Sequence, residues 1–584
     1  MNITTAASAS PGPAAETASF VKAVVLFVLP FLLTYAFTTF GNKGYQDGQA
    51  VREPPKVPYW IPFVGNTISF AHDTERFLAS TLAKFGQVPV RIFVGAENMY
   101  FIPHGTHIIE LFKASRHLTT KSLGIMTVRD AFGLDEPDIR IYADDGSGVD
   151  TKPAPGWEHV EPLHRFHFVQ HRDLHTLMAG SALNAMIGKF TEVFSKNIEK
   201  DTRFSEDEWV EVDDLYDWFK NSLLYATLEA LCGEHFFDLS PDFANEFWSF
   251  DYHLPNLFKR LPRWLIPKSY QARDRCLEGL LRYHEYGRQN VDFTDEEVLK
   301  KEWTPEFGAK LMSARQKMFA RLGFGARGAA ALDLGMVWAV TANAIPAAMW
   351  MLLDTLLDKD ITDRVIAETE ASFYEESLSF DLDKISSGPL LNSIYCETLR
   401  VRVAAPVGRT SLVPNLKFGR WQLKQGVGML STSWVGGHDP DFWNTGHTLP
   451  NGSEEHPVNS FWAERFLKYE DDPTSGPIRT LPTKATTSEK ILKRTPEDDR
   501  KAHVITEGTQ GYWYPYGGGT KMCPGRFFAK QKLMASVALT LRAYEIELMD
   551  PEAASKVGPN MDYFPFGTIP PKGKVAARFR RRKL

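Results

Sequence analysis

The stretch YPYGGGTKMCPGRFFAK, residues 514–530, decides how this chain is read. Gly517, Gly518 and Gly519 lead into Cys523, Pro524 and Gly525 follow it, and an apolar, helix-forming run extends from about Phe527 to Leu541. Pro is favoured at the first helical position, because its missing N–H would be unpaired there anyway. Cys523 is therefore expected at or next to a helix N-cap. Unsatisfied backbone N–H groups and the positive end of the helix dipole favour an anion at that place. They lower a thiol's pKa and favour the thiolate, which is the metal-binding form. Glycines let backbone come close to a flat partner without Cβ clashes. The 584 residues hold four cysteines, Cys232, Cys276, Cys396 and Cys523, with no CxxC-type spacing. Such scarcity fits a reducing compartment, with the first three read as buried free thiols.

The spacing around Cys523 narrows the chemistry. Tyr516 lies seven residues before it, Gly519 four before, Lys521 two before, Gly525 two after and Ala529 six after. This resembles the haem-binding loop of the cytochrome P-450 family, Phe-x-x-Gly-x-Arg-x-Cys-x-Gly-x-x-x-Ala. Tyr516 stands in place of the usual Phe and Lys521 in place of the usual Arg. Lys keeps a positive charge for a haem propionate but loses the bidentate fork. The resemblance implies haem b, with Cys523 as the iron ligand and Tyr516, Gly517, Gly519, Lys521, Gly525 and Ala529 around the cofactor. N–H groups near the sulfur would tune its donation to iron.

A second constellation is CETLR, residues 396–400, which puts Glu397 and Arg400 three apart on one helix face. Ser386, Ser387 and Pro389 supply start signals for that helix. Its flanks, Leu390, Leu391, Ile394 and Leu399, are apolar, so the pair is read as buried and in need of further hydrogen bonds. FWAERF, residues 461–466, resembles the family's Pro-Glu-Arg-Phe motif with Ala463 for Pro, and offers Arg465. The resemblance implies a structural triad of Glu397, Arg400 and Arg465 behind the haem. After the Glu-x-x-Arg helix, AAPVGRT (404–410) is expected to turn into a pocket strand, with Arg409 as a propionate partner by analogy. Around GWEHVEPLHRFHF (156–168) the family's Trp-x-x-x-Arg pattern fails, because Glu161 stands four after Trp157. His164 and Arg165 are weaker propionate candidates there, and His164, His167, His171 and His175 read as ordinary helix-face histidines.

Residues 331–357, ALDLGMVWAVTANAIPAAMWMLLDTLL, form a long apolar helix with a Pro inside. In the family the corresponding helix crosses the distal face of the haem and carries an acid–alcohol pair. Here those positions hold Ile345 and Pro346, within Ala342-Asn343-Ala344-Ile345-Pro346. Pro346 donates no N–H and crowds the carbonyl of Ala342, so a kink is expected. Asn343 has both donor and acceptor groups for a water or a substrate oxygen. Ala342, Asn343 and Pro346 are thus the residues assigned to oxygen activation. Asn-x-x-Pro followed by Ala and an aromatic looks like the branch of sterol 7α- and 12α-hydroxylases and prostacyclin synthase. That likeness leaves two reactions open: a monooxygenase using O2 and reductase-supplied electrons, or an oxygen-independent isomerase. A haem-binding protein without turnover is a third reading. The long insertions suggest a fungal biosynthetic member acting on a terpenoid, a sterol-like molecule or another apolar secondary metabolite. Pocket positions by the same analogy are Trp338, Ala404, Ala405, Val407, Phe566, Gly567 and Thr568, with the aromatic stretch 236–264 as a mobile lid.

The expected fold is mainly α with a small β region: the cytochrome P-450 fold behind an N-terminal transmembrane helix. Its parts are a tail (1–22), an anchor (23–40), a proline-rich hinge (41–65) and the catalytic domain (66–584), with a polar, insertion-like surface loop at about 466–512. The anchor is an uncharged, mostly apolar run of 18 residues, near the lower limit for a bilayer span. A cleaved signal peptide and a buried core helix are its rival readings. Lys43, Arg52 and Lys56 follow it, while Glu16 precedes it, so the positive-inside rule leaves the body cytosolic, on the endoplasmic-reticulum membrane. The formal net charge of −6 gives no sign of a nucleic-acid partner. The triple glycine lacks the βαβ context of a dinucleotide site. Electrons are therefore expected from a separate NADPH-dependent reductase. The basic segment Arg578 to Lys583 reads as a solvated tail.

Overall fold

The computed structural model describes residues 13–40, 52–480 and 493–584. The chain divides into two compact units, one built from residues 1–119 and 408–431, the other from 120–407 and 432–584. The first part of the expected tail, the first half of the hinge (with Lys43) and the middle of the 466–512 loop lie outside the described residues.

The first unit is built on a sheet. Val90–Val94 and Glu97–Phe101 form an antiparallel hairpin in the register Val90↔Phe101, as the alternating run before and after Gly95 predicts. Gly428, Met429 and Leu430 add in parallel to Met99, Tyr100 and Phe101. Pro13–Phe40 is one helix containing Pro30, and its apolar side chains from Leu26 to Phe37 are largely exposed. Within it, Val25–Phe40 is an apolar stretch shorter than a full span. The proline-rich segment is not a free spacer. Lys56 bridges Arg91, Tyr35 stacks on Trp60 with ring centroids 4.1 Å apart, and Glu53 pairs with Arg91 at 2.7 Å. Prolines keep this segment extended, and an extended backbone has free N–H and C=O groups to offer a neighbouring strand.

The second unit is mostly helical around one apolar core. Ala326–Thr341 and Ala344–Leu356 are two pieces of the long apolar helix, referred to below as the split helix. Their 31-residue span is long and apolar enough to cross a membrane, yet 78% of its most apolar window is buried in protein, which marks a core helix. Arg526–Ala543 follows the cysteine loop and packs against the split helix. Val403–Ala404 pairs with Gly567–Thr568, and Tyr544–Leu548, Ala577–Arg581 and Val210–Val212 form a three-stranded sheet.

Three expectations need correction here. The basic C-terminal segment is the central strand of that sheet rather than a solvated tail. Ala577 and Phe579 point into the core, while Arg578 and Arg580 point outward and pair with Glu547 and Glu545. The period-two alternation of strand side chains explains how so basic a segment packs. The 466–512 region is partly ordered core. Leu467–Lys468 pairs with His503–Val504, and Asp499 is buried on Arg364 at 2.5 Å. Its charges looked solvated because their partner lies 135 residues away. The supposed lid, 236–264, is two helices, Phe236–Leu239 and Phe243–Phe258, whose Phe236 and Phe247 are core residues.

Candidate active site

Cys523 sits in the loop the sequence indicates, but not at the helix N-cap. A turn of 3-10 helix, Gly519–Lys521, precedes it, and the following helix starts at Arg526 with Gly525 as N-cap. Pro524 therefore lies before the helix. The loop is closed by Cys523 N–H donating to Tyr516 O at 3.0 Å, and by Arg526 Nη1 donating to Cys523 O at 3.0 Å. Gly517 and Gly519 both take φ of +67°, left-handed conformations that only glycine enters freely. The Tyr516 hydroxyl meets that of Tyr395 at 2.8 Å. Gly525 and Ala529 are joined by the first helical bond, Ala529 N–H to Gly525 O at 2.9 Å.

The thiol pKa moves opposite to expectation. Burial pushes Cys523 up, and the Gly525 and Arg526 N–H groups together with the Arg526 charge offset this only in part. The loop's surroundings are cationic. His171 is pushed down to about 4, by burial first and then by Lys521 and His175. His175 is lowered by burial, Arg526 and Lys521. Arg165 is fully buried and holds the carbonyls of Thr151, Asp150 and Ser147, with Nε unsatisfied, whereas His164 is exposed beside Glu161. His167 is no free helix-face residue either, since its N–H donates to Asp145 and its ring meets Tyr142 O. In the other unit, Arg409 is buried, which lowers it to about 10, and its Nη1 donates to Gly408 O.

Glu397, Arg400 and Arg465 are brought together, all without exposed surface. Arg400 donates Nε to Glu397 Oε2 at 2.7 Å and Nη2 to Oε1 at 2.8 Å, and Arg465 Nε reaches Oε1 at 3.0 Å. Trp462 N–H adds a fourth donor at 3.1 Å. The remaining guanidinium protons go to carbonyls: Arg400 to Gly437 and Val458, Arg465 to Asn444 and Ser460. Pro389 opens the helix that carries Glu397 and Arg400.

The split helix breaks where Pro346 removes a donor. Its first piece ends at Thr341, Ala342 and Asn343 form the break, and the second piece begins at Ala344. Thr341 turns its hydroxyl back to Val337 O, and Ile345 and Pro346 are buried. On this core helix Gly335, Trp338, Ala339 and Asn343 are the residues of 331–345 that are not buried. Their spacing puts them on one face, the least buried face of the helix. Asn343 Oδ1 accepts from Thr568 N–H at 2.9 Å, and a Cβ on Gly567 (φ +113°) would overlap that oxygen. The Asn343 amide nitrogen has no protein partner among the described residues. Ile569 O accepts from Trp350 Nε1 at 2.8 Å, so the C-terminal turn is pinned to the split helix twice. Ala405 and Phe566 are part-exposed, and Ala404, Val407 and Thr568 are buried.

Two groups were missed from sequence. Lys532, on the cysteine helix, is fully buried and donates to Val340 O at 3.2 Å, beside the break. Asp251 accepts from Trp338 Nε1 at 3.0 Å. The available signal was a charged residue inside an otherwise apolar run. Two surface clefts of about 510 and 520 Å³ contain neither Cys523 nor the open helix face.

This geometry fits a flat, anionic, iron-bearing cofactor: a sulfur on a glycine loop, cations around it, and a helix face left open in the same unit. Comparison with known proteins agrees. The profile of the family described as Cytochrome P450 matches residues 55–448. The chain belongs to the cytochrome P450 family of monooxygenases. It is 32% identical to a cytochrome P450 monooxygenase of Humicola fuscoatra (fsoE), over 97% of this chain and 95% of that one. It is 30% identical to one of Hormonema carpetanum (efuG), covering 96% of both. Rabbit cytochrome P450 7A1, from Oryctolagus cuniculus, is 21% identical over 91% of this P450 and 94% of its own length. Among solved structures, retinoic acid bound cyanobacterial CYP120A1 aligns with a TM-score of 0.58 at 15% identity, covering 91% of this chain and all of that one. Membership implies haem b, a redox partner and an apolar substrate.

Proposed function

We propose that this P450 hydroxylates or otherwise oxidises an apolar terpenoid, sterol-like or other secondary metabolite in a fungal biosynthetic pathway. Electrons would come from NADPH through a separate reductase. The exposed apolar helix up to Phe40 would anchor it to the endoplasmic-reticulum membrane, with the catalytic body cytosolic. The observation that carries this reading is the open face at Gly335, Trp338, Ala339 and Asn343, on a core helix in the same unit as Cys523. When bound, haem b supplies oxygen activation, with thiolate donation favouring O–O cleavage. The chain's own residues do the rest. Cys523 would hold the iron, and Lys521 would neutralise a propionate. Tyr516, Gly517, Gly519, Gly525 and Ala529 shape the loop that would hold the cofactor. Ala342 and Pro346 keep the split helix open, and Asn343, with its oxygen tied to Thr568, offers N–H to a water or a substrate oxygen. Trp338, Ala404, Ala405, Val407, Phe566 and Thr568 wall the chamber.

A specific observation favours a second reading. The open face carries no acid and no free hydroxyl, since Thr341 is bonded to Val337 O and Pro346 follows Ile345. A split helix without an acid–alcohol pair on its open face suits an oxygen-independent rearrangement. Incubation with candidate substrates, the reductase and labelled oxygen decides. Label in the product, dependent on reductase, is expected; unlabelled product without reductase would establish the isomerase, and ligand binding with no product a carrier. A reduced carbon-monoxide spectrum tests the thiolate itself, since a band without the red-shifted thiolate signature would end this reading.

A further inference from the structure

The helix Phe243–Phe258 presents an apolar stripe to the core, including Phe243, Phe247, Phe250 and Leu254. Asp251 interrupts it. Asp251 is half-buried, so part of its surface stays accessible beside that stripe. Oδ1 accepts from the indole of Trp338, on the open face of the split helix, at 3.0 Å. Oδ2 has no protein partner among the described residues, and no cation bonds to the carboxyl. Lys220 acts on it only through space. Burial raises the phenols of Tyr216 and Tyr563, and the charge of Asp251 adds to it. Asp251 thus meets Trp338 beside an aromatic cluster in which Phe132 lies 6.2 Å from Phe250 and 6.0 Å from Trp338, centroid to centroid. Close by in sequence, Phe258 stacks on Phe566 at 4.6 Å.

A carboxyl inside an apolar chamber is costly unless something pairs with it. Burial pushes Asp251 up to about 7, against the Trp338 bond and the Lys220 charge. The fold would be better served by an apolar residue, which leaves a ligand as the missing partner. Anchoring the indole alone would need only one oxygen, whereas the second points to a further donor.

We propose that Asp251 is a specificity-determining residue that accepts a hydrogen bond from a hydroxyl of the substrate. The substrate class is then an apolar skeleton bearing an alcohol, held by that alcohol at Asp251 while a different carbon faces the cofactor. This rests on the haem-thiolate reading above, and the test separates the two.

The probes are a series of N-(ω-hydroxyalkyl)imidazoles of increasing chain length and their ω-methoxy counterparts. The azole ring ligates the haem of the full-length holoenzyme, and the Soret shift reports affinity without turnover. At one chain length the hydroxyl probe is expected to bind about tenfold more tightly than its methoxy twin, the size of one hydrogen bond to a charged acceptor. Asp251→Leu erases that preference, and Asp251→Asn, which keeps the shape and an acceptor oxygen, retains part of it. No hydroxyl preference at any length, or a preference that survives in Asp251→Leu, overturns the proposal. Equal weakening of both probes in Asp251→Leu also overturns it, leaving Asp251 as a prop for Trp338. Absence of any Soret shift with either series sinks the haem-thiolate reading, and the proposal falls with it.

Discussion

Glu397 and Lys532 are both ionisable and both without exposed surface, yet their surroundings treat them in opposite ways. Four N–H donors from Arg400, Arg465 and Trp462 converge on Glu397. Burial alone would raise its pKa, but Arg400 and Arg465 outweigh it and hold the carboxyl below its ordinary range. Lys532 has one carbonyl, Val340 O, and the faces of Phe190 and Phe528. Burial with no opposing charge drives it down to about 7. The region behind the cysteine loop is saturated and built to stay in one arrangement. The region around the split helix leaves polar groups short of partners: Lys532, one oxygen of Asp251 and the amide nitrogen of Asn343. Partners withheld by the protein are where water, protons or a substrate can enter.

The largest effect is expected from breaking the saturated side. Arg465→Ala leaves Glu397 buried with half its charge compensation, at a cost of about 3–5 kcal/mol. Differential scanning calorimetry and haem content would register it as a lowered Tm and lost haem; a change within error would mean the triad is not what fixes that region.

Lys532→Met probes the other side and should stabilise, on the order of 2 kcal/mol near neutral pH, because a buried lone charge is replaced by an isosteric apolar chain. The sign with pH follows from linkage. Between about 7 and its ordinary value of 10.5, the unfolded chain keeps the proton that the folded one has released. Stability of the natural protein therefore climbs with pH across that window. The advantage of Lys532→Met should be greatest at pH 7 and below and shrink toward pH 10 in urea titrations; a destabilised variant would mean that the Val340 bond matters more than the charge.

Gly567→Ala forces a Cβ onto the Asn343 oxygen at a left-handed φ and should cost about 1–3 kcal/mol. Adding Asn343→Ala should recover part of that loss, a non-additivity read from a double-mutant cycle. Strict additivity would show that the two residues do not touch in solution. The smallest effect belongs to the outer face of the C-terminal strand. Arg578→Ala loses a half-exposed pair with Glu547 and should shift stability by no more than about 0.5 kcal/mol, whereas Phe579→Ala in the same strand should cost about 3 kcal/mol.

What could be read from the sequence was whatever is encoded in short spacings. The seventeen residues around Cys523 give the glycine loop and the following helix, and residues 396–400 place two members of the triad on one helix face. Pro346 predicted a broken helix because one residue type removes one donor. Arg465 could be added only through its own motif, FWAERF. Where spacing was pushed beyond what it encodes, it failed: Pro524 lies outside the helix it was expected to start, and the thiol is raised rather than lowered, because helix-start N–H groups lose to burial. Burial is a property of the whole core and is not written near Cys523.

The sequence by itself determined the family, the ion triad and the break in the split helix. Only the tertiary structure decided that Asn343 turns its oxygen to Thr568, that Lys532 clasps Val340, and that Asp251 meets Trp338. Those partners are 225, 192 and 87 residues apart. No local pattern links residues so distant, because such contacts exist only once the helices have packed and fixed which polar groups are paired and which remain for a ligand.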